Sequence, residues 1–169
     1  TLKVILELPL VIKADGLAAG KGVIICQNED EYNKALKDIF EDDQFGKAAD
    51  RISLERCLMG EELSVFAVCD GRDFIILNSA QDYKRAFDGD KGPNTGGMGA
   101  YSPTSISSMK LLKRIGREII QPTLDSMIDR GHPYTGFLYV GLMIVDGDPY
   151  VIEFNVRMGD PETQVVLPL

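Results

Sequence analysis

The 169-residue sequence carries a single histidine, and His132 sits between Gly131 and Pro133 in an apparent turn. It reads as surface punctuation rather than a catalyst. Cysteines are few: Cys26, Cys57 and Cys69 are odd in number, show no CxxC spacing and have no accompanying histidine pattern. That composition fits buried, reduced thiols of a cytoplasmic protein and argues against a disulfide framework or a cysteine metal centre. No Ser-His or Cys-His pair offers a nucleophile with its base. Positive charge is also scarce, with 18 Lys plus Arg against 26 Asp plus Glu and a formal net charge of −8. Nucleic acid and anionic membranes both require clustered basic charge, so neither is expected as a main partner. A small anion remains possible where cations converge locally. No apolar run approaches a membrane span, and no signal peptide opens the chain. The chain starts at Thr1 and stops after Val165-Val-Leu-Pro-Leu169, so a fragment of a longer protein is expected.

What the chain does have is a polar, glycine-rich stretch, Gln81-Asp-Tyr-Lys-Arg-Ala-Phe-Asp-Gly-Asp-Lys-Gly-Pro-Asn-Thr-Gly-Gly-Met-Gly-Ala-Tyr-Ser-Pro103. It reads as a long loop without secondary structure of its own, a feature that is usually functional or disordered. Tyr83, Phe87, Met98 and Tyr101 supply anchors that disordered segments generally lack. Its glycines permit close backbone approach to a small anionic ligand, and Asp82, Lys84 and Arg85 add fixed charge. The expectation is a substrate pocket.

The length allows one domain or two small lobes with a real core. Residues 9–14 and 23–26 read as strands joined by a glycine-rich connection. Asn28 and Glu31 form a capping-box pair ahead of a helix over residues 31–41, with Tyr32, Ala35, Leu36, Ile39 and Phe40 on one stripe. Strands follow at 52–57, 63–69 and 74–78, the last two joined by an Asp70-Gly71 hairpin signal. A helix is expected over residues 105–130, kinked or broken at Pro122 and ended by Gly131. Residues 135–145 and 150–155 make a final hairpin. Hairpins separated by helices indicate an α+β fold with antiparallel sheets rather than a doubly wound one.

Three stretches carry chemistry. Gly16-Leu-Ala-Ala-Gly20-Lys21-Gly22 is not a P-loop: three residues separate its glycines, Gly22 replaces the metal-holding hydroxyl, and a strand follows. It is either an ordinary glycine hairpin or a flap whose amides close over phosphates, with Lys13 and Lys21 supplying charge. In Val151-Ile-Glu-Phe-Asn-Val-Arg157, alternation sends Glu153, Asn155 and Arg157 to one face. Such a face is either solvated or a site for a hard cation sharing substrate phosphates, with Arg157 clamping a phosphoryl group. Asp160 and Glu162 follow in a turn beside it. Finally, Glu55 and Glu62 flank Leu58 and Met59 in the linker between strands, as an exposed acidic edge or as a seat for a purine.

Together these segments closely resemble the glycinamide ribonucleotide synthetase (phosphoribosylamine–glycine ligase) family of the ATP-grasp superfamily. The resemblance rests on residues 11–23, on residues 81–103 with their Gly92-Pro-Asn-Thr-Gly-Gly-Met-Gly-Ala-Tyr101 core, and on Glu153-Phe-Asn-Val-Arg-Met-Gly-Asp-Pro-Glu-Thr-Gln164. It runs from about Pro9 to the end of the chain. It implies an ATP-grasp fold of two antiparallel lobes with packed helices, divided here as residues 1–62 and 63–169. It also implies an ATP-dependent ligase of purine biosynthesis that joins glycine to phosphoribosylamine through glycyl phosphate. Alternatives are a nucleotide-binding module that has lost catalysis, and an ATP-grasp ligase with another amine acceptor.

Carried over residue by residue, the resemblance implies that Lys13, Gly16, Gly20, Lys21 and Gly22 hold the phosphates of ATP. Glu55 and Leu58 would meet adenine, and Glu62 the ribose. Glu153 and Asn155 would bind magnesium or manganese, while Arg157 and Lys13 would serve the transferring phosphoryl group. Asp82, Lys84, Arg85, Asn94, Thr95, Gly96, Gly97, Met98, Gly99, Asp160 and Glu162 would bind glycine or phosphoribosylamine. One departure concerns the metal: the preceding strand, Gly136-Phe-Leu-Tyr-Val-Gly-Leu-Met143, lacks the extra carboxylate that many superfamily members carry. The family is longer on both sides, so the remaining domains of a parent chain are expected partners, and the fragment alone is expected to be inactive.

Overall fold

Asn28 closes the first turn of a helix: its Oδ1 accepts from the Glu31 amide at 3.0 Å, while Glu31 Oε2 accepts from the Gln27 amide at 2.8 Å. This reciprocal chemistry satisfies donors that a helix start leaves free. It begins α1 (Glu29–Phe40) two residues ahead of the expected start. In this computed structural model the described residues are 7–16, 22–41, 45–89, 91–95 and 97–169. The chain divides into two compact units, Thr1–Leu58 and Met59–Leu169.

In the first unit, β1 (Leu10–Ala14) lies between β2 (Val23–Cys26) and β3 (Ile52–Arg56), antiparallel to both. Alternation turns Leu10 and Ile12 to one face, where they bury with Cys26 against Ala35 and Ile39 of α1. Phe40, expected on the same stripe, is exposed. The Ala14 amide reaches Gly22 O at 2.8 Å and so closes the β1–β2 hairpin.

In the second unit, β4 (Glu61–Asp70) and β10 (Thr135–Val145) are the inner strands of a four-stranded antiparallel sheet, with β11 (Asp148–Asn155) and β5 (Phe74–Ile76) at its edges. Because β4 starts at Glu61, Glu62 lies on the sheet of this unit. One sheet face presents Leu63, Val65, Ala67, Leu138, Val140 and Leu142 to the helical Leu111, Ile115, Ile120 and Leu124. Each fully buried Val, Leu or Ile among them contributes about 1.5–3 kcal/mol. The opposite face carries Ser64, Phe66 and Tyr139, and it is the face on which the site is built.

The helix covering the apolar face runs through α2 (Met109–Ile115), a π-helical segment Gly116–Ile120 and α3 (Gln121–Asp129). It starts later than expected because Ser108 Oγ caps the Leu111 amide at 3.1 Å. Pro122 does not break it. The π segment falls just before the proline, with the Gln121 amide bonding Gly116 O, so Pro122 enters the first turn of α3, where its missing N–H is tolerated. The helix stops as expected at Gly131, whose φ of +78° suits glycine. The Gly131 amide meets Ile128 O and the His132 amide meets Met127 O, the paired closure of a Schellman motif.

The stretch expected to be a loop has structure of its own. β6 (Gln81–Asp82) pairs with β9 (Ala100–Tyr101), and β7 (Arg85–Phe87) pairs with β8 (Lys91–Asn94). Between these ladders the Tyr83 amide bonds Gly99 O, and the Thr95 amide bonds Lys84 O. The stretch is therefore an irregular β-hairpin arm, because its backbone groups pair with each other where apolar side chains are too few to bury it. Tyr83 and Tyr101 stack with ring centroids 6.0 Å apart. Phe87 and Met98 are exposed and do not anchor it.

Candidate functional site

Antiparallel register lines up the polar face. Gly141 of β10 stands opposite Ser64 on one side and Glu153 on the other, and Tyr139 stands opposite Phe66 and Asn155. Residues facing each other across adjacent strands share a sheet face, so Ser64, Tyr139, Glu153 and Asn155 form one surface. Gly141 keeps it open: a Cβ there would lie 3.0 Å from Glu153 Cγ. The Asn155 side-chain amide donates to Glu153 Oε1 at 3.0 Å.

The arm adds charge to this surface. Lys84 Nζ donates to Glu62 Oε2 at 2.7 Å and lies 3.9 Å from Asp82 Oδ1, while Gln81 Nε2 donates to Glu62 O at 2.9 Å. Glu62, Ser64, Lys84, Tyr139, Gly141 and Glu153 line a small recess. The Asp82 side chain is only 6% exposed. Burial pushes its carboxyl above the usual range; Lys84 pulls it down, and Glu162 and Glu62 push it further up. Burial alone would lower the Lys84 pKa, but Glu62 outweighs it and, with Tyr139 and Asp82, holds the ammonium above its ordinary value. Lys84 is thus a fixed cation among acids.

Behind the recess, Glu162 is 2% exposed. Its Oε1 accepts from Tyr139 Oη at 3.1 Å and from Ser64 Oγ at 3.3 Å, and the two hydroxyls are 2.9 Å apart. Burial raises the Tyr139 phenol; Ser64 opposes that through its bond, Glu162 and Asp82 reinforce it, and Lys84 counters it. Asp160 is exposed and accepts from Gln164 Nε2 at 2.8 Å.

Among the described residues no three His, Cys, Asp or Glu side chains converge as a metal-binding group. Glu153 and Asn155 still fit a hard cation of the expected kind. Their mutual bond leaves Glu153 Oε2 and Asn155 Oδ1 as oxygen donors, and magnesium keeps several waters and takes further oxygens from phosphates. Arg157 departs from the expected alternation. β11 ends at Asn155, and the exposed Arg157 donates to Met158 O at 3.0 Å instead of continuing the strand face.

The remaining sequence candidates divide between the units. In the first, Lys13 Nζ pairs with Glu55 Oε2 at 2.8 Å across β1 and β3, and Leu58 is half-buried. The Gly16 amide bonds Ala48 O at 2.8 Å. In the second, Thr95 Oγ1 donates to Lys84 O and accepts from the Gly97 amide, Met98 bonds Tyr83 O, and Gly99 O takes the Tyr83 amide. Gly97, at φ +118°, approaches Pro161 so closely that a Cβ would sit 2.6 Å from its Cδ. Gly20, Lys21 and Gly96 lie outside the described residues, and for Arg85 and Asn94 only the backbone is described.

Ser64 and Tyr139 were not among the sequence candidates, since both sit inside apolar runs that read as core. A larger cavity, about 660 Å³, opens between β5 and the helix and includes Phe74, Met109, Leu112, Lys113 and Arg117 in its lining. No carboxylate lines it, whereas Glu62 and Glu153 line the recess on the polar sheet face. Among the described residues no helix is long and apolar enough to cross a membrane. The cysteines are free; Cys26 and Cys69 are buried, and burial raises both thiols.

Against known proteins, a family model of the phosphoribosylglycinamide synthetase ATP-grasp (A) domain matches residues 3–163. The phosphoribosylamine–glycine ligase of Leptospira interrogans is 51% identical over 164 residues, covering 96% of this chain and 38% of that protein. The bifunctional purine biosynthetic protein ADE1 of Schizosaccharomyces pombe is 55% identical over 160 residues, 95% of this chain and 20% of that one. The crystal structure of phosphoribosylamine–glycine ligase from Thermotoga maritima matches with a TM-score of 0.85 at 43% identity, over 97% of this chain and 41% of that chain.

Proposed function

This chain belongs to the phosphoribosylglycinamide synthetase ATP-grasp domain family, and on that premise we propose that it forms the ATP-grasp part of a phosphoribosylamine–glycine ligase. The enzyme would join glycine to phosphoribosylamine, consuming ATP and releasing ADP and phosphate. It would work in the cytoplasm with the remaining domains of a parent chain. The observation that carries the reading is the shared sheet face of Glu153, Asn155 and Tyr139, onto which Glu62 ties Lys84 of the arm, with Asp82 3.9 Å from the same ammonium.

In the first half-reaction a glycine carboxylate oxygen attacks the γ-phosphorus, and the bond to ADP breaks to leave glycyl phosphate. In the second, the phosphoribosylamine nitrogen attacks the acyl carbon, phosphate departs with the bonding pair, and the nitrogen loses a proton. Such transfer is mainly positioning and charge neutralisation, so the absence of a Ser-His or Cys-His pair is no obstacle. Glu153 and Asn155 would hold magnesium or manganese, which when bound neutralises phosphate oxygens. Lys13, Gly16, Gly20, Lys21 and Gly22 would bind the triphosphate, Glu55 and Leu58 adenine, and Glu62 the ribose through the oxygen that Lys84 leaves free. Arg157, released from the end of β11, would steady the phosphoryl group. Asp82, Lys84, Thr95 and Gly97–Gly99 would wall the glycine and phosphoribosylamine side, together with Arg85, Asn94, Gly96 and the Asp160–Glu162 turn.

The decisive test is an assay of the full-length parent with glycine, phosphoribosylamine and ATP, following ADP and phosphate. Turnover that requires all three is expected. Nucleotide binding without ligation would leave a non-catalytic module, and undiminished turnover with a different amine would make it another ATP-grasp ligase.

A further inference from the structure

A carboxylate buried among apolar side chains is costly unless its oxygens are well bonded. Glu162, at 2% exposure, has two neutral hydroxyls on Oε1, from Ser64 at 4% and Tyr139 at 5% exposure. Two hydroxyl hydrogens serve three contacts in this triangle, so in every arrangement at least one points at Glu162. Gly159 is shaped for the same carboxylate: a Cβ there would lie 2.3 Å from Glu162 Oε2. The turn continues through Pro161, against which Gly97, on the return side of the arm between β8 and β9, is seated at the distance given above. It passes into α4 (Thr163–Val166), where the Val166 amide bonds Glu162 O at 3.0 Å and Val166 is buried beside Tyr139. A contiguous chain of contacts therefore leads from the central strands to the arm.

We propose that Ser64 and Tyr139 are positioning residues: by fixing the Glu162 carboxylate they pin the Gly159–Glu162 turn, and through Pro161 that turn seats the arm at Gly97. Neither hydroxyl needs to touch a substrate. They act through Glu162, and the effect on catalysis rests on the reading that the arm walls the glycine and phosphoribosylamine site.

The test uses the full-length parent and two readouts: amide hydrogen exchange of the arm, and separate KM values for each substrate. Tyr139→Phe is expected to speed exchange of the Thr95 and Met98 amides at least about tenfold, the loss anticipated for one bond to a charged group. KM for glycine or phosphoribosylamine should rise about as much, with KM for ATP within about twofold. Glu162→Gln keeps an oxygen that accepts both hydroxyls, so it should retain arm protection. Should Tyr139→Phe not fold, Gly159→Ala perturbs the same seat; the clashing atoms are the far end of the Glu162 side chain, so the carboxylate is pushed off its hydroxyl partners before the backbone moves. Unchanged exchange in the arm would overturn the proposal, and so would a KM rise shared equally by ATP. Faster arm exchange with every KM unchanged would uphold the positioning role and sink the substrate-wall reading instead.

Discussion

Asn155 donates its side-chain amide to Glu153 Oε1 at 3.0 Å, so the two residues are oriented as a pair on β11 before any ligand arrives. A pair already in place loses little reorganisation energy when a cation and its phosphates bind. Glu153→Gln in the full-length parent should preserve that geometry while removing the charge. The expected result is a kcat lowered at least about 100-fold with an unchanged thermal melt. Near-normal kcat at saturating magnesium would remove the metal assignment.

Asp82 should trade stability for function. Burial holds its carboxyl above the ordinary 3.8, so the fold favours the protonated form. That stabilisation is complete below the unfolded pKa and is lost as pH rises through the folded one. Near neutral pH the ionised carboxylate is therefore a burden on the folded state. Asp82→Asn is expected to raise the melting temperature at neutral pH, with the gain disappearing towards the unfolded pKa, and to lower turnover. A melt that falls at neutral pH would show that the Lys84 charge, and not burial, dominates at this site.

Glu62→Ala should act on both of its neighbours. Loss of the proposed contact with the ribose hydroxyls should cost about 1.5–3 kcal/mol of ATP affinity. Lys84 would also lose its 2.7 Å partner. Its pKa is raised above 10.5, so the stability this provides is full below that value and fades as pH climbs through the folded one. Without Glu62, burial of the ammonium is less well opposed, and alkaline unfolding should begin at lower pH. Calorimetry showing intact nucleotide affinity but weakened glycine binding would move Glu62 to the substrate side.

Gly97→Ala adds a methyl group at φ +118° and 2.6 Å from Pro161 Cδ. The backbone conformation alone should cost about 1–3 kcal/mol. Chemical denaturation should register that loss, with a larger rise in KM for glycine or phosphoribosylamine than for ATP. A neutral substitution would mean that the arm has room at Gly97 to move off the turn.

Much of this was legible because local rules and tertiary structure agree. The Asn28–Glu31 cap, the Gly131 stop and the pairing of Glu153 with Asn155 each follow from spacing alone. The failures lie where long-range pairing decides. The arm's backbone bonds join residues as far apart as Gln81 and Tyr101, and polar composition cannot distinguish that ladder from a loop. Pro122 was expected to kink or break its helix; the helix continues, and the π segment ahead of the proline absorbs the missing donor. Arg157 kept the period of the strand on paper but lies beyond the last paired residue. Ser64 and Tyr139 were invisible for a different reason. A hydroxyl inside an apolar run announces burial, and only the fold reveals that a carboxylate 98 positions away in sequence from Ser64 shares its pocket.

The isolated chain should fold yet fail to make product at a useful rate. Each unit has its own buried cluster, Leu10, Ile12, Cys26, Ala35 and Ile39 in one and Leu63, Val65, Ile115, Leu124 and Val140 in the other. Cores of this kind are enough for ordered domains. Ligation asks for more: phosphates, metal and both substrates must be held at near-attack distance, and water must be kept from glycyl phosphate. The chain spans only 38% of its Leptospira relative, so most of the enclosing wall of such an enzyme would come from elsewhere in the parent. Weak, magnesium-dependent nucleotide binding with negligible ligation is expected, measured by calorimetry and by product release under identical conditions. Ligation by the isolated chain at a rate comparable to the full-length parent would show that no wall from elsewhere in the parent is needed.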